Sequence, residues 1–219
     1  MFRVVTVARE YGSGGARIAE LLAERLGWKL LDRCLVEKIA QAARVEPTVA
    51  QEYDERPDPW FDRLARVFWQ GGALRGVLPG PSLDVFDANV VASVTRDLIE
   101  EAAAMGNCVI VGRASQCILQ QRSDAFHVFI YAPRKERLHR VRTRHGSLAE
   151  AEEALDARDR ERAAYVRQFC DQDWTNRHLY HLMLSSSLGE QVTVSTILAA
   201  MGQAQENPAP PNRGGHPEG

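Results

Sequence analysis

The chain has 219 residues, 45% of them hydrophobic and 26% charged, with a formal net charge of −2. That length suits one domain of ordinary to large size, and the charge balance carries no electrostatic footprint for nucleic acid or an anionic membrane. No apolar run approaches the roughly 20 residues that span a bilayer. Arg3 interrupts the first apolar stretch, which is therefore read as a strand and not as a secretory leader. Cys34, Cys108, Cys117 and Cys170 form no CxxC pair and no zinc spacing, so reduced thiols in a cytoplasmic protein are expected.

In chain order, residues 2–8 (FRVVTVA) predict a buried strand. Gly12-Ser13-Gly14-Gly15 follows, and residues 18–26 have helical spacing up to Gly27, a helix C-cap. Residues 28–32 predict a short second strand. Residues 34–43 read as a helix, and 47–68 as a helical pattern broken by Pro57 and Pro59. Residues 71–81 (GGALRGVLPGP) read as a loop. Ser82 or Asp84 caps a helix running to about Met105, with Val90, Val91, Val94, Leu98 and Ile99 on its apolar face, and Gly106 stops it. Strands are expected at 108–111, 126–131 and 181–185. A very basic helix is expected at 135–144, a long charged one at 148–169 and a last one at 192–201. Residues 203–219, rich in Pro and Gly, predict a disordered tail.

Strands alternating with helices imply an α/β fold with a parallel sheet covered on both faces. Ligands on such sheets bind at the carboxyl ends of the strands. The chemistry-bearing residues fall there: residues 9–15 after the first strand, Asp32 and Arg33 after the second, and Gly112-Arg113 after the third.

Strand, glycine loop and helix form a setting in which backbone amides cradle phosphate. The common loop of this kind ends in Gly-Lys-Ser/Thr, with the Lys on the β/γ-phosphates and the hydroxyl on Mg²⁺. Here Gly15 stands in place of the Lys and Ala16 in place of the Ser/Thr, followed by Arg17. Arg17, one turn into the helix, is one candidate to replace the Lys; its bland reading is a solvated helix residue. Arg9, leaving the first strand, is a second; its bland reading is a salt bridge to Glu10 or Asp32. Asp32 is a candidate Mg²⁺ ligand or the N-cap of the helix that follows. Arg33 and Arg113 follow strand ends on the loop's side of the sheet, with Gly112 allowing close approach of a ligand. Arg137, Arg140 and Arg144 share one helix face, and Arg158 and Arg162 are four apart, as a phosphate-closing lid needs or as a solvated face shows. The scattered histidines are expected in surface or packing roles.

The segment Ala8-Arg9-Glu10-Tyr11-Gly12-Ser13-Gly14-Gly15-Ala16-Arg17-Ile18-Ala19 resembles the opening of the cytidylate kinase-like family, a branch of the P-loop nucleoside monophosphate kinases. Val109-Ile110-Val111-Gly112-Arg113, Phe129 to Pro133 with Arg137, Arg158-Asp159 with Arg162 and Tyr165, and Asp173-Trp174 resemble later family segments in order. The resemblance covers about residues 2–201 and implies a P-loop NTPase-like domain over 1–202 with an NMP-binding insert near 34–85 and a helical lid near 134–175. It implies transfer of the ATP γ-phosphoryl group to CMP or dCMP with Mg²⁺, between small-molecule nucleotides. Gly12, Ser13, Gly14, Gly15, Ala16 and Arg17 would bind ATP; Arg33, Gly112 and Arg113 the acceptor; Arg17, Arg158 and Arg162 would be catalytic; Arg137, Arg140 and Asp159 would belong to the lid. The family's Asp after Gly-Arg is Ala114 here. With the missing Lys and Ser/Thr, this keeps two other readings open: a nucleotide-binding sensor, or a kinase for a different small acceptor.

Overall fold

The computed structural model describes residues 1–32 and 88–206. Arg33, the insert 34–85 with its expected helices, loop and caps, and residues 207–219 of the expected tail lie outside the described residues.

The first strand, β1 (Val4–Arg9), runs into helix α1 (Gly15–Leu26) and then β2 (Lys29–Leu31). Helix α2 (Ala88–Met105), β3 (Cys108–Val111) and the one-turn helix α3 (Ser115–Ile118) follow. Then come β4 (Ala125–Tyr131), α4 (Arg134–Arg142) and α5 (Leu148–Cys170). A 3₁₀ turn precedes β5 (Leu182–Ser185), and α6 (Glu190–Glu206) closes the described chain. The helix α6 takes in residues 203–206, so the expected tail begins four residues too early.

The five strands form one parallel sheet in the order β2-β3-β1-β4-β5. Alternation along β1 explains why both faces are covered. Val5 and Val7 pack with Val109, Val128 and Ile130 against Ile18 and Leu22 of α1 and Val194 and Ile197 of α6. Val4 joins Ile110 against Leu98, Ile99, Ala102 and Ala103 of α2. Ala8 and Phe129 form a third apolar cluster with Val166 and Trp174. A strand buried on both faces needs this nearly continuous apolar composition.

Local signals fix the ends of the helices. Gly27 takes φ +64, and Trp28 N donates to Ala23 O at 2.9 Å, the wide hydrogen bond of a Schellman ending. Ser147 Oγ accepts from Glu150 N, and Glu150 Oε2 accepts from Gly146 N, so α5 starts on a reciprocal cap. No helix among the described residues is long and apolar enough to cross a membrane.

One buried histidine stacks on a second that is exposed. His127 lies between strands, its Nδ1 2.7 Å from Thr6 Oγ1, and its ring stacks on His181 at 5.1 Å. His181 Nδ1 accepts from His127 N at 2.9 Å, which protonation of that nitrogen would break. Burial, then the neighbouring His181, pushes His127 down to about 4, and burial lowers His181 too. The folded state therefore binds fewer protons than the unfolded one below pH 6.5, and stability falls as the pH drops. Denaturant titrations from pH 7 to 4 should show a loss that begins near 6.5 and reaches about 3 kcal/mol for His127 alone near pH 4. Unchanged stability between pH 7 and 4.5 would contradict it.

Candidate active site

The loop between β1 and α1 sits where the central strand ends, flanked by the exits of its two neighbours β3 and β4. Glu10 N donates to Ile130 O at 3.0 Å, and Glu10 Oε2 accepts from Ala132 N at 3.0 Å, which ties the loop to the end of β4. Gly12 and Gly14 have φ of +77 and +79, the left-handed values that turn successive amides toward a common point. At Gly12 a Cβ would also lie 2.8 Å from Val141 Cγ2 and 2.9 Å from Arg137 O. Helix α1 begins at Gly15 itself, so the glycines form its N-terminus. Ser13 is buried, and its Oγ accepts from Gly15 N at 3.3 Å. Among the described residues, the amides of Gly12, Gly14, Ala16 and Arg17 find no hydrogen-bond acceptor. Unpaired amides at a helix N-terminus suit an anion.

The carbonyls of the same loop are satisfied from α4 and α5. Arg137 donates from Nη1 to Tyr11 O at 3.3 Å and pairs with Asp159, while its Nε is 3.3 Å from Glu10 Oε2. Arg140 donates from Nη1 to Gly12 O, Ser13 O and Ser186 Oγ at 3.3, 3.1 and 3.1 Å. Arg162 donates to Arg9 O at 2.9 Å and lies 5.7 Å from the centre of the Tyr11 ring. Asp159 Oδ1 accepts from Tyr11 N at 2.7 Å.

Arg137, Arg140 and Asp159 were expected to act in a lid over the nucleotide. The structure places them against the loop, with Arg137 buried and engaged with its backbone. Arg17 and Arg158, expected at the phosphates, are instead half-exposed and paired on their own helices. Arg17 is 3.0 Å from Glu20 and 3.8 Å from Glu24, and Arg158 is 2.9 Å from Glu161. Arg162 is brought to the loop.

A group of cations gathers beside the loop. Arg9 is held down to about 10 by burial first and then by Arg162, opposed by Asp32 and reinforced by Arg113. Burial also lowers Arg162. Both remain protonated at neutral pH; the shifts mark positive charges held together in a poorly solvated place. Arg113 follows Gly112, and Gly112, Arg113 and Ala114 have φ of +74, +58 and +54. The left-handed turn is strained for two of these residues and sets Arg113 beside Tyr165 of α5, which hydrogen-bonds it. Glu10, expected only as a salt-bridge partner of Arg9, is instead a structural strut whose carboxylate serves Ala132 N and Arg137.

Mg²⁺ is usually held by one or two carboxylates together with phosphate oxygens and water. Asp32, at the end of β2 and close enough to favour the charge on Arg9, fits that need. Ala16 offers no hydroxyl. Among the described residues there is no group of three or more His, Cys, Asp or Glu suited to a metal.

Comparison with known proteins agrees with this architecture. A profile of the Cytidylate kinase-like family matches residues 4–188. A cytidylate kinase from Shewanella sediminis (strain HAW-EB3) is 34% identical over 74 residues, which span 34% of this chain and only 32% of that relative. An uncharacterized protein from Eubacterium ventriosum ATCC 27560 superposes with a TM-score of 0.65 at 18% identity, over 91% of this chain and 98% of that one. A shikimate kinase from Acinetobacter baumannii, solved with shikimate, superposes with a TM-score of 0.50 at 14% identity, over 94% and 96% of the two chains. The fold is therefore that of P-loop small-molecule kinases. The chain belongs to the cytidylate kinase-like family.

The bracing of the loop has a measurable consequence. Arg137→Met would leave Glu10 and Asp159 facing each other without their shared cation and is expected to destabilise the fold by about 3 kcal/mol or more. Arg17→Met, which loses only an exposed pair, should leave the denaturation midpoint close to that of the native protein. Equal denaturation midpoints for the two variants would refute the bracing role.

Proposed function

We propose that this protein is an ATP- and Mg²⁺-dependent phosphotransferase that passes the γ-phosphoryl group to a nucleoside monophosphate, with CMP or dCMP the first acceptors to try. It acts in the cytoplasm on small-molecule nucleotides, with no nucleic acid or membrane partner. The observation that carries this reading is the joining of two features at one sheet edge: unpaired amides at the start of α1, and Arg9, Arg113 and Arg162 around them. Family membership supports the same class.

Phosphoryl transfer asks a protein for alignment and positive charge. The amides of Gly12, Gly14 and Ala16 would hold the ATP phosphates. Arg113 would hold the acceptor's phosphate, one oxygen of which forms the new bond to the γ-phosphorus. The bond from that phosphorus to the bridging oxygen breaks, ADP leaves with the electron pair, and Arg162 faces the charge that moves. Mg²⁺, with Asp32 near it, would supply further neutralisation of the phosphates.

A second reading is a nucleotide sensor with little turnover. Gly15, Ala16 and Ala114 favour it, because each lacks a group the active loops carry, and one electrostatic donor is worth ~3–4 kcal/mol in other enzymes.

ADP formation from Mg²⁺-ATP across a panel of nucleoside monophosphates and non-nucleotide acceptors separates these. The proposal expects CMP- or dCMP-dependent turnover, and Arg113→Ala should lower kcat/KM for the acceptor by about 100-fold with ATP affinity kept. Saturable ATP binding without turnover on any acceptor would favour the sensor; turnover confined to a non-nucleotide would refute the acceptor assignment.

A further inference from the structure

Gly15 raises a question that the backbone does not answer. It is the first residue of α1 and lies outside the left-handed region, unlike Gly12 and Gly14. Alanine is the better helix former, so neither φ nor propensity calls for glycine here. The reason is steric. A Cβ at residue 15 would lie 2.8 Å from Arg9 Cβ, 3.1 Å from Arg9 Cδ and 3.2 Å from Ile130 Cβ. The Arg9 side chain fills the space that a side chain at residue 15 would need. It then continues across the loop: a Cβ on Gly112 would lie 3.3 Å from Arg9 Nη1. The guanidinium is therefore suspended between the start of α1 and the turn carrying Arg113, with Asp32 close by.

We propose that Arg9 is the phosphate-binding cation of this site, reaching the cradle from the end of β1 through the room left by Gly15, and so replaces the lysine that the loop lacks. The ligand class is a nucleoside di- or triphosphate, held at the phosphates beyond the first. The inference rests on the phosphate-binding reading of the loop given above. It explains Gly15 and the absent lysine together: a lysine at residue 15 and an arginine at residue 9 exclude each other. Glu10 does not neutralise Arg9, since its Oε2 serves Ala132 N and Arg137. Arg17 and Arg158 stand on outer helix faces with glutamate partners. Arg9 makes and breaks no bond in this role; it fixes phosphate position and offsets charge.

The test is affinity for adenosine, AMP, ADP and ATP, measured by calorimetry on the full chain, with melting temperatures recorded for every variant. Arg9→Met keeps the apolar stem and removes the charge. It should weaken ADP and ATP by about 30-fold, the worth of one charge-assisted hydrogen bond, and leave adenosine unchanged. Arg9→Lys should recover part of the loss. Gly15→Ala should copy Arg9→Met by displacing the arginine. The double variant Arg9→Ala with Gly15→Lys should regain phosphate-dependent affinity, because each change makes room for the other. ADP binding by Arg9→Met equal to the native protein would overturn the role of Arg9 while leaving the proposed function standing. An equal loss for adenosine and ADP would show a merely structural residue and overturn it too. Native protein that binds ADP no more tightly than adenosine would overturn both this proposal and the phosphate-binding reading beneath it.

Discussion

A loop that turns its amides outward to meet an anion turns its carbonyls inward, and those carbonyls need donors. That constraint organises this protein. The oxygens of Arg9, Tyr11, Gly12 and Ser13 are met by Arg162, Arg137 and Arg140, side chains more than 120 positions away in sequence. Buried carbonyls left without partners are costly, and guanidinium groups supply several donors from one rigid plane. The glycine loop is thus formed only when α4 and α5 are docked on it, and a rigid swing of α4 away from β4 would strip it of donors. In this structure the basic helices are a foundation for the loop.

The same packing accounts for the charge pattern. The sheet brings Arg9 and Arg113 to adjacent strand ends, and α5 adds Arg162. Asp159 is shared by Arg137, Arg162 and Tyr11 N, Glu10 by Arg137 and Ala132 N, and Asp32 lies near Arg9, so these three carboxylates offset the cations only in part. A protein with a net charge of −2 thereby builds a local cationic site by placement, not by composition. Fixed cations in a poorly solvated place act on phosphate more strongly than the same groups in water.

Much of the fold was legible in the sequence. The apolar run of β3 set its bounds at residues 108–111, and Gly27 marked the end of α1. Helix α3 was missed because four residues cannot display a helical period. The extension of α6 into the tail was missed because the helix continues past its apolar face. At the candidate site, the glycines and the strand-end arginines were readable because topology alone puts them at one sheet edge. The roles of Arg137 and Arg140 were not: an arginine row on a helix reads the same whether it faces water or a neighbour's carbonyls. Arg17 drew attention by its nearness to the loop, yet Glu20 and Glu24 sit at helical spacing to hold it.

The central claim is that the start of α1 is a phosphate cradle. Amide NMR of the full chain titrated with ADP and with adenosine tests it most directly. The account predicts that the amides of Gly12, Gly14, Ala16 and Arg17 shift with ADP and stay in place with adenosine. Shifts from ADP that spare these four amides would contradict it.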